Sequence, residues 1–161
     1  MAARYPIPER HRKIGPLSRR FFQTYAGRIA EVLGPYDLDP AFYSVLVELH
    51  DQPGIDQRRL GVALGIDRTS IGLIVDGLDS RGLLERTVDP NDRRARVLHL
   101  TEAGDTLRRE IRPRMLKAQE EFVAPLLPEE RPVFLEMLHR LVEANLEFEN
   151  RGGFRRRKKL E

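Results

Sequence analysis

Cysteine is absent from the 161-residue sequence. That removes disulfide frameworks, thiolate metal sites and cysteine nucleophiles together, and with them any oxidant sensing that runs through a thiol. Histidine is scarce, and His11, His50, His99 and His139 stand too far apart in the chain to give the tight ligand spacing of a metal site. No stretch approaches the ~20 apolar residues of a membrane-crossing helix, and the opening run ARYPIPERHRK lacks the apolar centre of a secretion signal. The expectation is a cytoplasmic protein with no membrane partner. A nucleophile elbow, a phosphate-cradling glycine loop and a convergent carboxylate pair are all missing as well, so neither an enzyme nor a cofactor is expected.

What is present is a globular balance of 40% hydrophobic and 33% charged residues, in a chain long enough to bury a core as one domain. The net charge of +3 hides a division. Of the 28 Lys and Arg, 12 lie in residues 1–20 and 151–161, whereas of the 25 acids only Glu9 and Glu161 do, leaving 16 basic against 23 acidic residues and a net −7 between the ends. The basic character belongs to two tails around an acidic body. A high isoelectric point is therefore no argument for nucleic-acid binding here, and a tail such as GGFRRRKKLE reads more readily as a solvated end than as a specific contact.

Between the tails the apolar residues keep helical time. Leu17, Phe21, Phe22, Tyr25, Ile29, Val32 and Leu33 step by three and four, laying one stripe along a helix that Gly34-Pro35 ends. Asp39 then caps a second helix with Pro40 at its first position, carrying Phe42, Val45, Leu46 and Leu49. Asp56 caps a short helix with Leu60, Ala63 and Leu64, Gly65 breaks it, and Asp67 caps another with Ile71, Ile74, Val75 and Leu78 inward. Two short helices joined through a glycine turn make a helix-turn-helix. Beyond Gly82, LLERTV and ARVLHLT are β-prone runs around DPNDRR, which predicts a hairpin with a polar tip. Thr101 ends that hairpin and caps a helix from about Glu102 to Val123, with a kink expected at Pro113. A last helix opens at Leu127-Pro128-Glu129-Glu130 and carries Val133, Phe134, Met137, Leu138, Leu141, Val142 and Leu146.

The second helix of the pair leaves Arg68, Thr69, Gly72, Leu73 and Asp76 on the face opposite its apolar stripe. In a helix-turn-helix, the first turn of that helix meets base edges in the major groove, where an arginine takes guanine O6 and N7 together. Arg68 is the candidate for base readout. Thr69 and Ser70 are candidates for a phosphate or a thymine methyl, and Gly72 lets the backbone approach. The same Asp-Arg-Thr-Ser run is also ordinary helix-capping chemistry. The hairpin tip favours the first reading, because Arg93, Arg94 and Arg96 contribute little to stability there, while the negative potential of a narrow minor groove attracts such side chains. Asp92 is expected to pair with a neighbouring arginine and fix the shape of the tip.

With these pieces in place, LGIDRTSIGLIVDGLDSRGLLERTVDPNDRRARVLHLTEAG, at the centre of residues 55–104, resembles the winged helix-turn-helix of MarR-type transcriptional regulators. The specific parts are the aspartate-arginine-arginine wing, Arg81-Gly82-Leu83 after the recognition helix, and Leu100-Thr101 followed by Gly104. The resemblance implies a mainly α fold with a small β-hairpin wing, organised as a single MarR-like domain over 1–161. Its winged lobe would span 39–101, its dimerisation helices 14–34 and 102–149, and its basic tails 1–13 and 150–161. It further implies a homodimer that binds double-stranded DNA at a pseudo-palindromic operator, usually as a repressor, and is released by a small aromatic carboxylate or an aryl-CoA effector. Many relatives carry polar or basic side chains where this helix has Gly72 and Gly77, which leaves more of the base contact to Arg68. The alternative is a winged-helix module whose hairpin arginines hold an acidic protein partner.

For the effector, Phe21, Phe22, Tyr25, Phe42, Tyr43 and His50, with Tyr36 between the two helices, gather most of the aromatics into one part of the chain. They suit a mostly apolar ligand cleft, and they suit core and dimer-interface packing equally. Arg28, with Arg19, Arg20 and Arg112 behind it, is the candidate partner for an effector carboxylate; the basic tails are the candidate for the phosphates of a CoA.

Overall fold

A computed structural model describes residues 7–9, 12–90 and 92–145. Helix α1 (Ile14–Leu33) passes through a short 3-10 turn (Gly34–Tyr36) into α2 (Pro40–Asp51). Strand β1 (Ile55–Asp56) leads to α3 (Gln57–Ala63) and α4 (Arg68–Ser80), β2 (Leu84–Val88) and β3 (Arg96–Leu100) form the wing, and α5 (Glu102–Val123) and α6 (Glu130–Glu143) complete the chain. The described residues group into two compact units divided between Gln119 and Glu120. The expected helix-turn-helix and hairpin are both present. Their addition is β1, which pairs antiparallel with β3 through Ile55 and Leu98, so that the sheet order is β1-β3-β2. A two-residue strand has no periodicity of its own, and it exists because β3 offers it a partner.

Local chemistry sets the helix ends. Asp39 accepts from the Ala41 amide, Asp56 from Arg59, and Asp67 from Thr69 and Ser70 at 3.0 Å each, each satisfying amides that have no partner inside their own helix. At the end of α4, Gly82 adopts φ +67°, the left-handed conformation that glycine reaches without steric cost. This lets the Gly82 and Leu83 amides fold back on Asp79 and Leu78, a Schellman closure. Asp67→Ala should cost about 1 kcal/mol of stability, since a lost N-cap typically costs 0.5–2; an unchanged urea midpoint would show that the cap carries no net weight.

Two apolar clusters fill the first unit. The larger packs Val45, Leu46 and Leu49 of α2 against Leu60, Ile71, Val75, Leu78, Leu84 and Leu98, tying the helix-turn-helix to its wing. The smaller joins Ile29, Leu33, Leu38 and Tyr43 to Ile111 and Ala118 of α5. Helix α5 runs as one helix through Pro113. In the second unit, Glu130 accepts from the Leu127 amide at 2.7 Å to open α6, and no residue of α6 is buried. Leu146, expected on that helix, and both basic tails beyond these bounds lie outside the described residues, as does His11.

Candidate nucleic-acid interface and ligand cavity

The inward stripe of α4 (Ile71, Ile74, Val75 and Leu78) is buried as its spacing predicts, and this fixes what the opposite face presents. Arg68 and Thr69 stand exposed in the first turn, and Leu73 is 69% exposed, leaving an apolar side chain free to meet a thymine methyl. Ser70 is half-buried, and its hydroxyl donates to Asp67 Oδ2 at 2.7 Å, so the cap already uses it. Gly72 faces Gln57, with room for a Cβ at ordinary contact distance. Gly77 does not belong to this face. A Cβ there would lie 2.9 Å from the Phe42 ring, so its lack of a side chain serves packing rather than DNA.

The wing tip is closed by the Asp89 amide on Ala95 O and the Ala95 amide on Asp92 O. Asp92 does fix the loop, but through the Arg94 backbone amide at 2.9 Å. The expected partner was a guanidinium. An Asx turn of this kind spends the carboxylate on the main chain and leaves the arginine side chains outward. Arg93, Arg94 and Arg96 are exposed, and among the described residues neither they nor Arg68 joins an ion pair. Four uncompensated guanidiniums on one helix turn and one hairpin form a positive surface suited to phosphate and groove contact.

Two further arginines, whose roles the sequence did not reveal, hold these parts together. Arg86 on β2 bonds Asp79 at 2.5 Å and also Asp76, bracing the wing against the recognition helix and neutralising an acid on its exposed face. Arg81 donates to the carbonyls of Asp37 (2.8 Å) and Tyr36 (3.2 Å). Tyr36 in turn donates to Glu110 and lies under the Arg114 guanidinium, linking the end of α4 to α5.

A cavity of about 600 Å³ opens between α1, α2 and α5. Of the expected ligand residues it gathers Tyr25, Tyr43, His50 and Arg112. Phe21 stacks on Tyr25 at 6.4 Å without reaching the wall. Phe22 is exposed, and Arg28, like Arg19 and Arg20, is not part of the lining. Phe42 is also displaced from the reading, since it packs with both apolar clusters and against Gly77. The cavity adds Val47, Asp51, Arg108, Arg109, Met115 and Leu116 among others. The signal for the basic members was a cluster on α5, where Arg108 and Arg112 lie one turn apart beside the apolar stripe through Leu107, Ile111 and Met115.

The electrostatics of this pocket are dominated by few groups. Arg108 is only 7% exposed. It directs Nε and Nη2 to Asp105 Oδ1 at 2.9 and 2.7 Å, and this hydrogen bonding, with the charges of Arg108, Arg109 and His50, holds the Asp105 carboxyl below the usual carboxylate range. Burial raises the Tyr43 phenol, against the opposing pull of Arg108 and Arg112, so the hydroxyl stays neutral and can donate. Arg112 joins no ion pair among the described residues. No group of His, Asp or Glu among the described residues is arranged to hold a metal ion.

Comparison with known proteins agrees with this geometry. The model of the MarR family matches residues 36–95, which reach from the turn before α2 to the wing tip. The transcriptional regulator HosA of Escherichia coli is 29% identical over 126 residues, covering 78% of this chain and 92% of HosA. The PcaV transcriptional regulator of Streptomyces coelicolor, solved in complex with its natural ligand, is 31% identical with a TM-score of 0.74, over 87% of this chain and 99% of its own. BpsR of Bordetella bronchiseptica, solved to explain regulation of its DNA binding by 6-hydroxynicotinic acid, is 26% identical with a TM-score of 0.77, over 85% and 97%.

Proposed function

This chain belongs to the MarR family of winged-helix, DNA-binding transcriptional regulators, and on that premise we propose that it acts as a homodimeric repressor, released from a pseudo-palindromic operator by a small aromatic carboxylate held between α1, α2 and α5. The observation that carries this reading is the placement of arginines without ion-pair partners. Arg68, Arg93, Arg94 and Arg96 lie on the recognition helix and wing, and Arg112 lies on an aromatic cavity separate from them. The first set suits phosphates and base edges. The second suits one carboxylate, which a guanidinium grips in a fork, with the Tyr25 and Tyr43 rings lining the same space.

The apolar side chains that each unit leaves uncovered support the dimer. Helix α1 exposes Ile14 at 83% and Phe22 at 69%, and α6, taken by itself, exposes Leu135, Met137, Leu141 and Val142, an apolar surface of the kind that marks an interaction site. A second copy of the chain covers it and places two recognition helices on half-sites about 10 base pairs apart. The regulated DNA binding named for BpsR supports a carboxylate effector. A CoA thioester would need the basic tails to hold its phosphates, and the cavity itself supplies only guanidiniums for one small anion.

Fluorescence anisotropy on the promoter DNA beside the coding region tests this, at two salt concentrations and then with 6-hydroxynicotinate, benzoates and aryl-CoA thioesters. The expected result is nanomolar binding that weakens steeply with salt and is reversed by one free acid. Release only by a thioester would move the effector class to CoA esters, and undiminished binding with every compound would remove effector control.

A further inference from the structure

Asp105 stands in the first turn of α5 and gathers three of the cavity's polar residues around one carboxylate. Its Oδ1 takes both donors of Arg108 and lies 3.4 Å from His50 Nδ1, while its Oδ2 lies 3.2 Å from Arg109 Nε. His50, Arg108 and Arg109 line the cavity, and Asp105 does not. It is the counter-anion behind the wall. The same turn is fastened on its other side to the end of the recognition helix. Thr101, whose carbonyl accepts from the Asp105 amide and whose hydroxyl accepts from Gly104, donates that hydroxyl to Gly82 O at 2.7 Å, and its amide bonds Leu83 O.

A guanidinium as buried as that of Arg108 cannot stand without an anion, because an uncompensated charge removed from water is strongly destabilising. Two arrangements satisfy it: Asp105 holds it, or an incoming carboxylate does. We propose that Asp105 is the positioning residue of the effector switch, a built-in counter-anion that the effector's carboxylate displaces from Arg108 and Arg109, loosening the turn that ties α5 to Gly82 and Leu83. The proposal rests on the cavity being the effector site. Arg112, with no carboxylate of its own, first receives the ligand. The binding energy then spent on displacing Asp105 is the differential interaction that a ligand needs in order to shift a conformational equilibrium. Two consequences with opposite signs follow. The internal carboxylate weakens effector binding, because it competes at high local concentration, and it strengthens the effector's influence on DNA, because its release is the signal.

The test compares wild type with Asp105→Asn and Asp105→Glu, using benzoate, 4-hydroxybenzoate and 6-hydroxynicotinate as probes. Calorimetry gives probe affinity, and anisotropy gives DNA affinity with and without probe. The expected result for Asp105→Asn is probe binding about tenfold tighter, with the coupling factor between probe and DNA, ordinarily some 5–150-fold, falling toward one. Asp105→Glu keeps a carboxylate on a longer arm and should lie between the two. A purely structural role for Asp105 would weaken probe and DNA binding together. If probes bind wild type and release DNA, but affinity and coupling are unaltered in Asp105→Asn, the counter-anion role is overturned and the effector site stands. If Asp105→Asn fails to fold, as its melting curve will show, Asp105→Ser removes the same carboxylate, and probe affinity and coupling unaltered in that variant overturn the role equally. No probe binding in any form overturns the cavity reading, and the switch with it.

Discussion

Gly104→Ala is expected to lower the melting temperature by about 6–12 °C, the shift that corresponds to roughly 3 kcal/mol in a chain of this size. A Cβ on residue 104 would sit 1.9 Å from Leu83 O and 2.9 Å from its carbonyl carbon, with the Leu100 side chain at 3.2 Å behind it. The end of a flexible side chain can swing away from such a clash, but a carbonyl cannot. Leu83 O is held where it is because it accepts from the Thr101 amide at 3.3 Å, and Leu83 itself is buried in the larger core cluster. Relief of the overlap must therefore separate α5 from the base of the wing, costing a hydrogen bond as well as packing. Gly27→Ala is the control. It lies mid-helix in α1 with nothing within 4 Å of a Cβ, so alanine there should stabilise by about 0.5–1 kcal/mol through backbone entropy alone. If the two variants melted together, the close approach at Gly104 would have no energetic meaning.

Gly104 also marks the boundary between what the chain declares locally and what only folding reveals. The Asp39, Asp56 and Asp67 caps, the Gly82 stop and the helical stripes were legible because each depends on residues within one turn of chain. The hairpin was legible from its alternation and its DPNDRR tip. The strand at Ile55–Asp56 was not, because it exists only by pairing with Val97 and Leu98. Arg81 and Arg86 escaped for the same reason: an arginine on a strand or helix end looks like solvated charge until the fold brings Tyr36 and Asp37, or Asp76 and Asp79, to its guanidinium. Gly77 was misplaced on the DNA face because a glycine carries no polarity by which to orient it. The cavity was half-legible. The aromatic cluster supplies Tyr25, Tyr43 and His50 of the lining and Arg112 joins them as the more distant basic candidate, whereas the nearer Arg28 does not line the cavity and Phe42 serves the core. Arg108 was missed because its burial is decided by α2 packing across α5, some 60 residues away in sequence.

The recognition helix and the wing should separate cleanly in their response to substitution. Arg68 is the first residue of α4, the end that a helix-turn-helix would direct to base edges, and it joins no ion pair among the described residues. Arg68→Ala is expected to cost about 1–3 kcal/mol on the operator and to relax discrimination at one base position of each half-site, with a smaller loss on random DNA. Arg94 is held differently, its main chain fixed by Asp92 and its side chain free at the hairpin tip. Beside a minor groove it would meet phosphates and negative potential, which carry little sequence information. Arg94→Ala should therefore weaken operator and random duplexes alike and make the dependence of log affinity on log salt shallower by about one unit for each wing, because one fewer phosphate is neutralised. Anisotropy over a salt series with both duplexes distinguishes the two. A preserved salt slope in Arg94→Ala would take the wing off the DNA, and preserved discrimination in Arg68→Ala would pass base reading to Thr69 and Leu73. Loss of discrimination in both variants would mean that the wing sets the angle at which α4 enters the groove, a role the Arg86 brace to Asp76 and Asp79 already gives it the means to perform.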